Sequence, residues 1–126
     1  MKNFIEELES HRERFLRDAT PVRLGNLAST LGHIAVLIPQ PPHTRAVKKM
    51  IDEAAWFVEW AVPDLSDVEE QAELVDLQRQ LSRWRNHWEA VSADESSRLE
   101  IAQLASRWKA RVLEMSGLLE REPTRS

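Results

Sequence analysis

Apolar residues recur every three or four positions along most of this chain, and no stretch alternates cleanly between apolar and polar residues as a half-buried strand would. The pattern predicts helices and no sheet. Five amphipathic helices account for it, at about residues 3–19, 21–38, 44–62, 66–91 and 92–116. Because short connections between long helices make antiparallel neighbours, we expect an all-α fold, an up-down helical bundle of four to five helices.

Proline and glycine set several of the predicted boundaries. The first helix carries one apolar stripe from Phe4 to Ala19, which Thr20 and Pro21 interrupt. Thr20 is therefore expected to cap the second helix and Pro21 to occupy its first position. A single kinked helix through this point is the alternative. Gly117 stands where a left-handed residue would end the last helix, because glycine adopts that conformation without steric cost.

The fourth helix is predicted to be the longest. Ser66 and Glu69 form a capping box at its start, and Ser92 with Glu95 forms another that would open the fifth helix. Between them the apolar residues follow the spacing of an a/d seam: Leu74, Leu77, Leu81, Trp84, Trp88 and Val91. This spacing predicts one continuous helix of roughly 37 Å, at about 1.5 Å per residue.

The second predicted helix is rich in small residues. Gly25, Ser29 and Gly32 recur at four- and three-residue spacing, which lets a neighbouring helix approach closely. A surface of this kind favours a central helix, or one that is buried at a subunit contact. These three residues are therefore candidate interface residues.

The chain has five tryptophans, a high number for 126 residues. Trp84, Trp88 and Trp108 lie on apolar stripes, so core packing is the favoured interpretation. A base-stacking platform flanked by arginines is the alternative. Trp56 and Trp60 lie to one side of the stripe of the third helix. They are candidates for lining a groove or a protein interface, where tryptophan is enriched.

Length and composition narrow the class of protein. A chain of 126 residues fits one domain, which we place at residues 1–119 with a frayed tail at 120–126. Because cysteine is absent, disulfides and thiolate metal sites are excluded, and the net charge of −4 argues against nucleic acid. The first ten residues carry three glutamates instead of the apolar run of an export signal, and the uncharged run 24–44 holds too short an apolar part for a bilayer. We therefore expect a cytoplasmic protein without membrane contact.

Motifs for chemistry are missing or incomplete. No Glu-x-x-His pair, glycine-rich phosphate loop or serine-nucleophile motif occurs. Glu73 and Asp76 resemble the Glu-x-x-Asp half of the magnesium site of helical nucleotide pyrophosphohydrolases, but the other carboxylate pair is missing. Acidic residues also suit the start of a helix. We expect no metal, no cofactor and no catalytic residue, with magnesium-dependent nucleotide hydrolysis as an alternative.

The third helix begins with positive charge, whereas helix starts usually carry acidic or neutral residues. His43, Arg45, Lys48 and Lys49 stand at or near its first turns. Free backbone N–H groups together with these cations predict a small-anion or nucleotide site. Ion pairs with a neighbouring acidic helix start, or a solvated cluster of charges, are the alternatives.

Four segments resemble a family of small helical proteins from cyanobacteria that has no assigned activity. The segments are RFLRDATPVRLGNLASTL, AAWFVEWAVPDL, ELVDLQRQLSRWRNHW and RVLEMSGLL, and they are spread over most of the chain. The resemblance implies a bacterial cytoplasmic bundle. It implies no mechanism and no site residue.

The patterns together favour a protein without enzymatic activity. Apolar and tryptophan surface remains once the core is filled, at the small-residue face of the second helix and beside Trp56 and Trp60. We therefore expect a bundle that acts through self-association, as a homodimer, or by docking on a partner protein. Small-anion or nucleotide binding at the start of the third helix is the alternative function.

Overall fold

The computed structural model describes residues 3–118, which contain α-helices, two 3-10 turns and no strand. The helices are α1 (Phe4–Arg17), α2 (Thr20–Leu37), α3 (Thr44–Ala61), α4 (Val68–Asn86), α5 (Trp88–Ala93) and α6 (Glu95–Ser116). The 3-10 turns, Pro41–His43 and Val62–Asp64, flank α3. Gly117, with φ of 72°, ends α6 in the predicted left-handed conformation. The expected all-α bundle is confirmed, and the predicted tail 120–126 lies outside the described residues.

Helix α2 is the central element of the bundle. It packs against α6 and against α3, and its Leu31 is completely buried. A Cβ atom on Gly25 would lie 2.9 Å from Leu118 Cδ1, and one on Gly32 would lie 3.1 Å from the Cδ atom of Lys109. The small residues therefore let α6, and residues 117–118 that follow it, approach α2 closely, as the sequence predicted.

A turn, not a kink, separates α1 from α2. Asp18 and Ala19 both have extended backbones, with ψ of 152° and 156°. Arg23 fixes this turn, because its guanidinium donates to the Asp18 carbonyl over 2.7 Å and to the Asp64 carboxylate over 2.6 Å. The helix starts one residue earlier than predicted. Ala19 is its cap instead of Thr20, because the Ala19 carbonyl accepts a hydrogen bond from the Arg23 N–H.

The prediction of one continuous helix from Ser66 to Val91 is wrong. Helix α4 ends at Asn86, the backbone of His87 is non-helical (φ −115°, ψ 25°), and the short α5 begins at Trp88. Asparagine and histidine have weak helix propensity, so the chain loses little by leaving the helix here. The apolar spacing nevertheless continues through the break, since Trp88 and Val91 pack against the core from α5.

Aspartates, not serines, cap α4 and α6. Asp67 accepts hydrogen bonds from two backbone N–H groups in the first turn of α4, and Asp94 accepts one from Ser97. The predicted capping boxes that begin at Ser66 and Ser92 are therefore placed one and two residues too early. Aspartate and serine are equally good helix caps, so the local sequence alone does not choose between them.

An ion pair with two hydrogen bonds joins α4 to α6. The Nε and Nη2 atoms of Arg111 donate to the two carboxylate oxygens of Glu73 over 2.7 and 2.6 Å. These hydrogen bonds hold the pKa of Glu73 below its ordinary value of 4.5. Because both side chains are more than a third exposed, we expect the pair to contribute about 1 kcal/mol or less to stability.

Glu73→Gln is expected to remove a pH-dependent part of the stability. A carboxyl whose pKa is lowered by folding stabilises the protein fully above its unfolded pKa of 4.5, and this contribution disappears as the pH falls from there through the lowered value. The difference in unfolding free energy between wild type and Glu73→Gln, measured in urea at each pH, should therefore shrink over that interval. Asp76→Asn breaks the exposed pair with Arg79 on the same helix and should show a smaller change. A difference that stays constant across the interval would contradict this role of the ion pair.

Candidate functional site

Aromatic side chains fasten the C-terminal half of α1 to α3. Phe15 stacks on Phe57 with ring centroids 4.5 Å apart, and the ring of Trp60 lies 5.7 Å from that of Phe15. The ring of His11 lies 5.4 Å from that of Phe57, and its Nε2 lies 3.4 Å from a carboxylate oxygen of Glu53. His11 also lies 5.6 Å from the ring of Trp60, so both side chains of α1 contact the same two rings of α3.

The first turn of α1 leaves its two apolar side chains in solvent, whereas Leu8 in the next turn packs partly against the core. Phe4 is 70% exposed and Ile5 is 63% exposed, whereas Phe15 in the other half is 4% exposed. The N-terminus of α1 is capped, because the Asn3 side chain accepts a hydrogen bond from the Glu6 N–H. Adjacent apolar side chains exposed on a capped helix are typical of an interaction surface. We call residues 4–9 the α1 tip.

The α1 tip is also acidic. Glu6, Glu7 and Glu9 are all exposed, and the nearest basic residue that follows them is Arg12. The tip therefore combines apolar surface with charge of one sign. Sequence reasoning missed this surface, because it placed Phe4 in the same apolar stripe as the buried end of the helix.

A groove runs between α3 and α4, which are antiparallel. Arg85 pairs with Asp52 over 3.0 Å, and Gln78 donates to the Ala55 carbonyl and to the Glu59 carboxylate over 3.1 Å each. The groove has a volume of about 670 Å³. Its lining is apolar at one end, with Val58, Val62, Pro63 and Val75, and polar toward the other, with Arg79, Ser82, Arg83, Asn86 and His87.

The lining of the groove holds two arginines and one glutamate. Arg79 pairs with Asp76 of its own helix over 3.0 Å. Arg83 is exposed, and no carboxylate within residues 3–118 forms an ion pair with it. Glu59 is the acidic residue of the lining, and it accepts a hydrogen bond from Gln78. The groove thus joins an apolar wall to a basic rim.

Within residues 3–118, the basic start of α3 forms no ion pair with the acidic start of α1 or of α4. Lys48 Nζ lies 3.3 Å from the carboxylate of Asp52 on its own helix, and Arg85 from the end of α4 shares that carboxylate. The other predicted anion-binding residues, His43, Arg45 and Lys49, are exposed. A further cation, not an acidic helix start, therefore lies beside Lys48, and the anion site stays a prediction.

The predicted interface residues are divided between the core and the surface. Gly25 and Gly32 lie where α2 contacts α6 and the residues that follow it. Ser29, between them in the sequence, is exposed. Trp60 is 7% exposed and lies against α1, which corrects the expectation that it offers surface to a partner. Trp56 is half-buried, and its ring stacks on that of Trp60 with centroids 5.8 Å apart.

The carboxylates that resembled half of a magnesium site are both paired with arginines. Glu73 is held by Arg111, and Asp76 pairs with Arg79. Within residues 3–118, no three histidine or carboxylate side chains are grouped so that they could hold a metal ion. None of the described helices combines the length and the apolar character that crossing a bilayer requires.

No family model, curated protein or solved structure matches this chain. The resemblance to small helical proteins from cyanobacteria therefore stays a prediction. Two surfaces of the structure bear on function. They are the apolar and acidic α1 tip, and the groove between α3 and α4 with its apolar and basic side chains.

Proposed function

We propose that the protein is a non-enzymatic helical bundle that self-associates through the α1 tip. The exposure of Phe4 and Ile5 on a capped helix supports this proposal. Isolated apolar residues are common on protein surfaces, but these two are adjacent, and the other half of their helix is anchored in the core. Removing one large apolar side chain from water stabilises an association by about 1.5–3 kcal/mol.

The size of the tip sets the expected affinity. Six residues of one helix offer less than the ~800 Å² per partner that a standard interface covers. We therefore expect reversible association of two copies with a dissociation constant on the order of micromolar, equal to about −8 kcal/mol. A chain without cysteine is compatible with a reducing compartment, and we propose that the association takes place in the cytoplasm.

Replacing both apolar residues of the tip tests this proposal. Phe4→Gln with Ile5→Gln removes apolar surface while it keeps residues that favour a helix. We expect the dissociation constant, measured by sedimentation equilibrium, to rise at least about tenfold, because tenfold corresponds to only 1.4 kcal/mol of lost apolar contact.

A matched control separates the tip from exposed apolar surface in general. Val36 on α2 is 64% exposed, and Val36→Gln should leave the dissociation constant unchanged. If wild type remains monomeric at millimolar concentration, or if both variants weaken the association equally, the α1 tip is not the interface.

A further inference from the structure

We infer that the α1 tip of one copy binds in the groove between α3 and α4 of a second copy. This inference rests on the proposed self-association and names the surface that receives the tip. Tip and groove each place exposed apolar side chains beside charged ones: the tip has three glutamates, and the groove has Arg83, which forms no ion pair with the described residues. Helix α1 and the groove lie on different sides of α3, so the tip of a chain does not lie in the groove of the same chain.

The groove has the dimensions of a helix-binding site. Its lining on α4 extends from Val75 to Asn86, about 16 Å at 1.5 Å per residue. The six residues of the tip extend over about 9 Å, and they offer Phe4 and Ile5 to the groove, because Leu8 packs against the core of its own chain. An amphipathic helix that lays its apolar face into a hydrophobic groove is a recurrent mode of recognition. The tip is therefore short enough to be received over its full length.

The order of apolar and charged residues gives the orientation of the bound tip. Phe4 and Ile5 begin the tip and match the apolar end of the groove at Val75. The glutamates that follow, up to Glu9, then lie toward the basic rim at Arg83. Because this attraction acts between solvent-exposed charges, we expect the association to weaken as the salt concentration rises.

Two α1 helices packed side by side are the alternative contact. An antiparallel pair would place the acidic tip beside Arg12 and Arg14 of the other copy, which also matches charge. The apolar side chains in that half of the helix face their own core, and Phe15 is almost completely buried. Phe4 and Ile5 would then meet charged side chains instead of apolar ones. The groove offers the apolar counterpart that this arrangement lacks.

Mixing two variants tests the inference. The tip variant, Phe4→Gln with Ile5→Gln, has an intact groove. The groove variant, Val75→Glu with Arg83→Glu, has an intact tip and repels the glutamates of a second tip. Each variant alone should self-associate at least about tenfold more weakly than wild type. A titration of labelled tip variant with groove variant should recover association, because one intact tip then meets one intact groove.

The outcomes separate this inference from the proposed function. If the groove variant alone associates as wild type does, or if the mixture is as weak as the separate variants, the groove does not receive the tip. The inference is then overturned, while self-association of wild type stands. If wild type is monomeric, the proposed function fails as well. Recovery in the mixture supports both.

Control substitutions exclude unfolding and general charge effects. Leu99 on α6 is 48% exposed, close to the 40% of Val75, and Leu99→Glu should associate as wild type does. If circular dichroism shows that the groove variant has lost helix, Arg83→Glu alone replaces it, since this side chain is exposed and forms no ion pair with the described residues. Arg83→Glu alone should then self-associate more weakly than wild type, and its mixture with the tip variant should recover association.

Discussion

Phe57→Ala is expected to lower the free energy of unfolding by about 3–5 kcal/mol, because it removes a buried ring and leaves a cavity. Phe57 is 7% exposed, and its ring lies 4.5 Å from that of Phe15 and 6.0 Å from that of Trp60. This cluster joins α1 to α3. We therefore expect the substitution to loosen α1 as well as to destabilise the core.

The matched control for this substitution is Phe4→Ala. It makes the same chemical change at a side chain that is exposed, and we expect an effect within about 0.5 kcal/mol. Urea unfolding followed by circular dichroism gives both values, and hydrogen exchange reports whether the amides of α1 become less protected. Equal effects of the two substitutions would show that α1 is not anchored through Phe57.

Leu31→Ala is expected to cost about 2–5 kcal/mol of stability. Leu31 is completely buried on α2, the helix that packs against both α3 and α6. The neighbours of α2 can close the cavity only in part, because a well-packed core relaxes little around a missing side chain. A loss of this size would take a large share of the 5–15 kcal/mol that typically stabilises a domain.

Val36→Ala serves as the control on the same helix. Val36 is exposed, so its truncation should change the unfolding free energy by about 0.5 kcal/mol or less. Both values come from urea unfolding of the purified variants. A cost below about 1 kcal/mol for Leu31→Ala would contradict the central position of α2 in the core.

Periodicity predicted the helices because each one buries a single apolar face. It did not predict the break at His87, since the a/d spacing brings Trp88 and Val91 to the core whether α4 continues or the chain turns into α5. The weak helix propensity of Asn86 and His87 was the local signal for this break. Period alone reports which residues face inward, and it does not report the path of the chain between them.

The candidate sites were harder to predict from the sequence than the fold. One apolar stripe in α1 includes both Phe4, which is exposed, and Phe15, which is buried. The sequence pattern of a stripe does not indicate whether the surface that covers it belongs to the same chain. The opposite happened with Trp60, which was expected at the surface because it lies beside the apolar stripe of α3. It is buried against α1. The groove required knowledge that α3 and α4 are antiparallel neighbours, so that Val75 and Val62 line the same groove.

Sedimentation equilibrium of the wild-type protein over about a hundredfold range of concentration tests most directly whether the chain self-associates. The monomer has a mass of 14.6 kDa. We predict that the average mass rises with concentration above that value, and that Phe4→Gln with Ile5→Gln moves the rise to higher concentration. An average mass that stays at 14.6 kDa over the whole range would contradict the proposal.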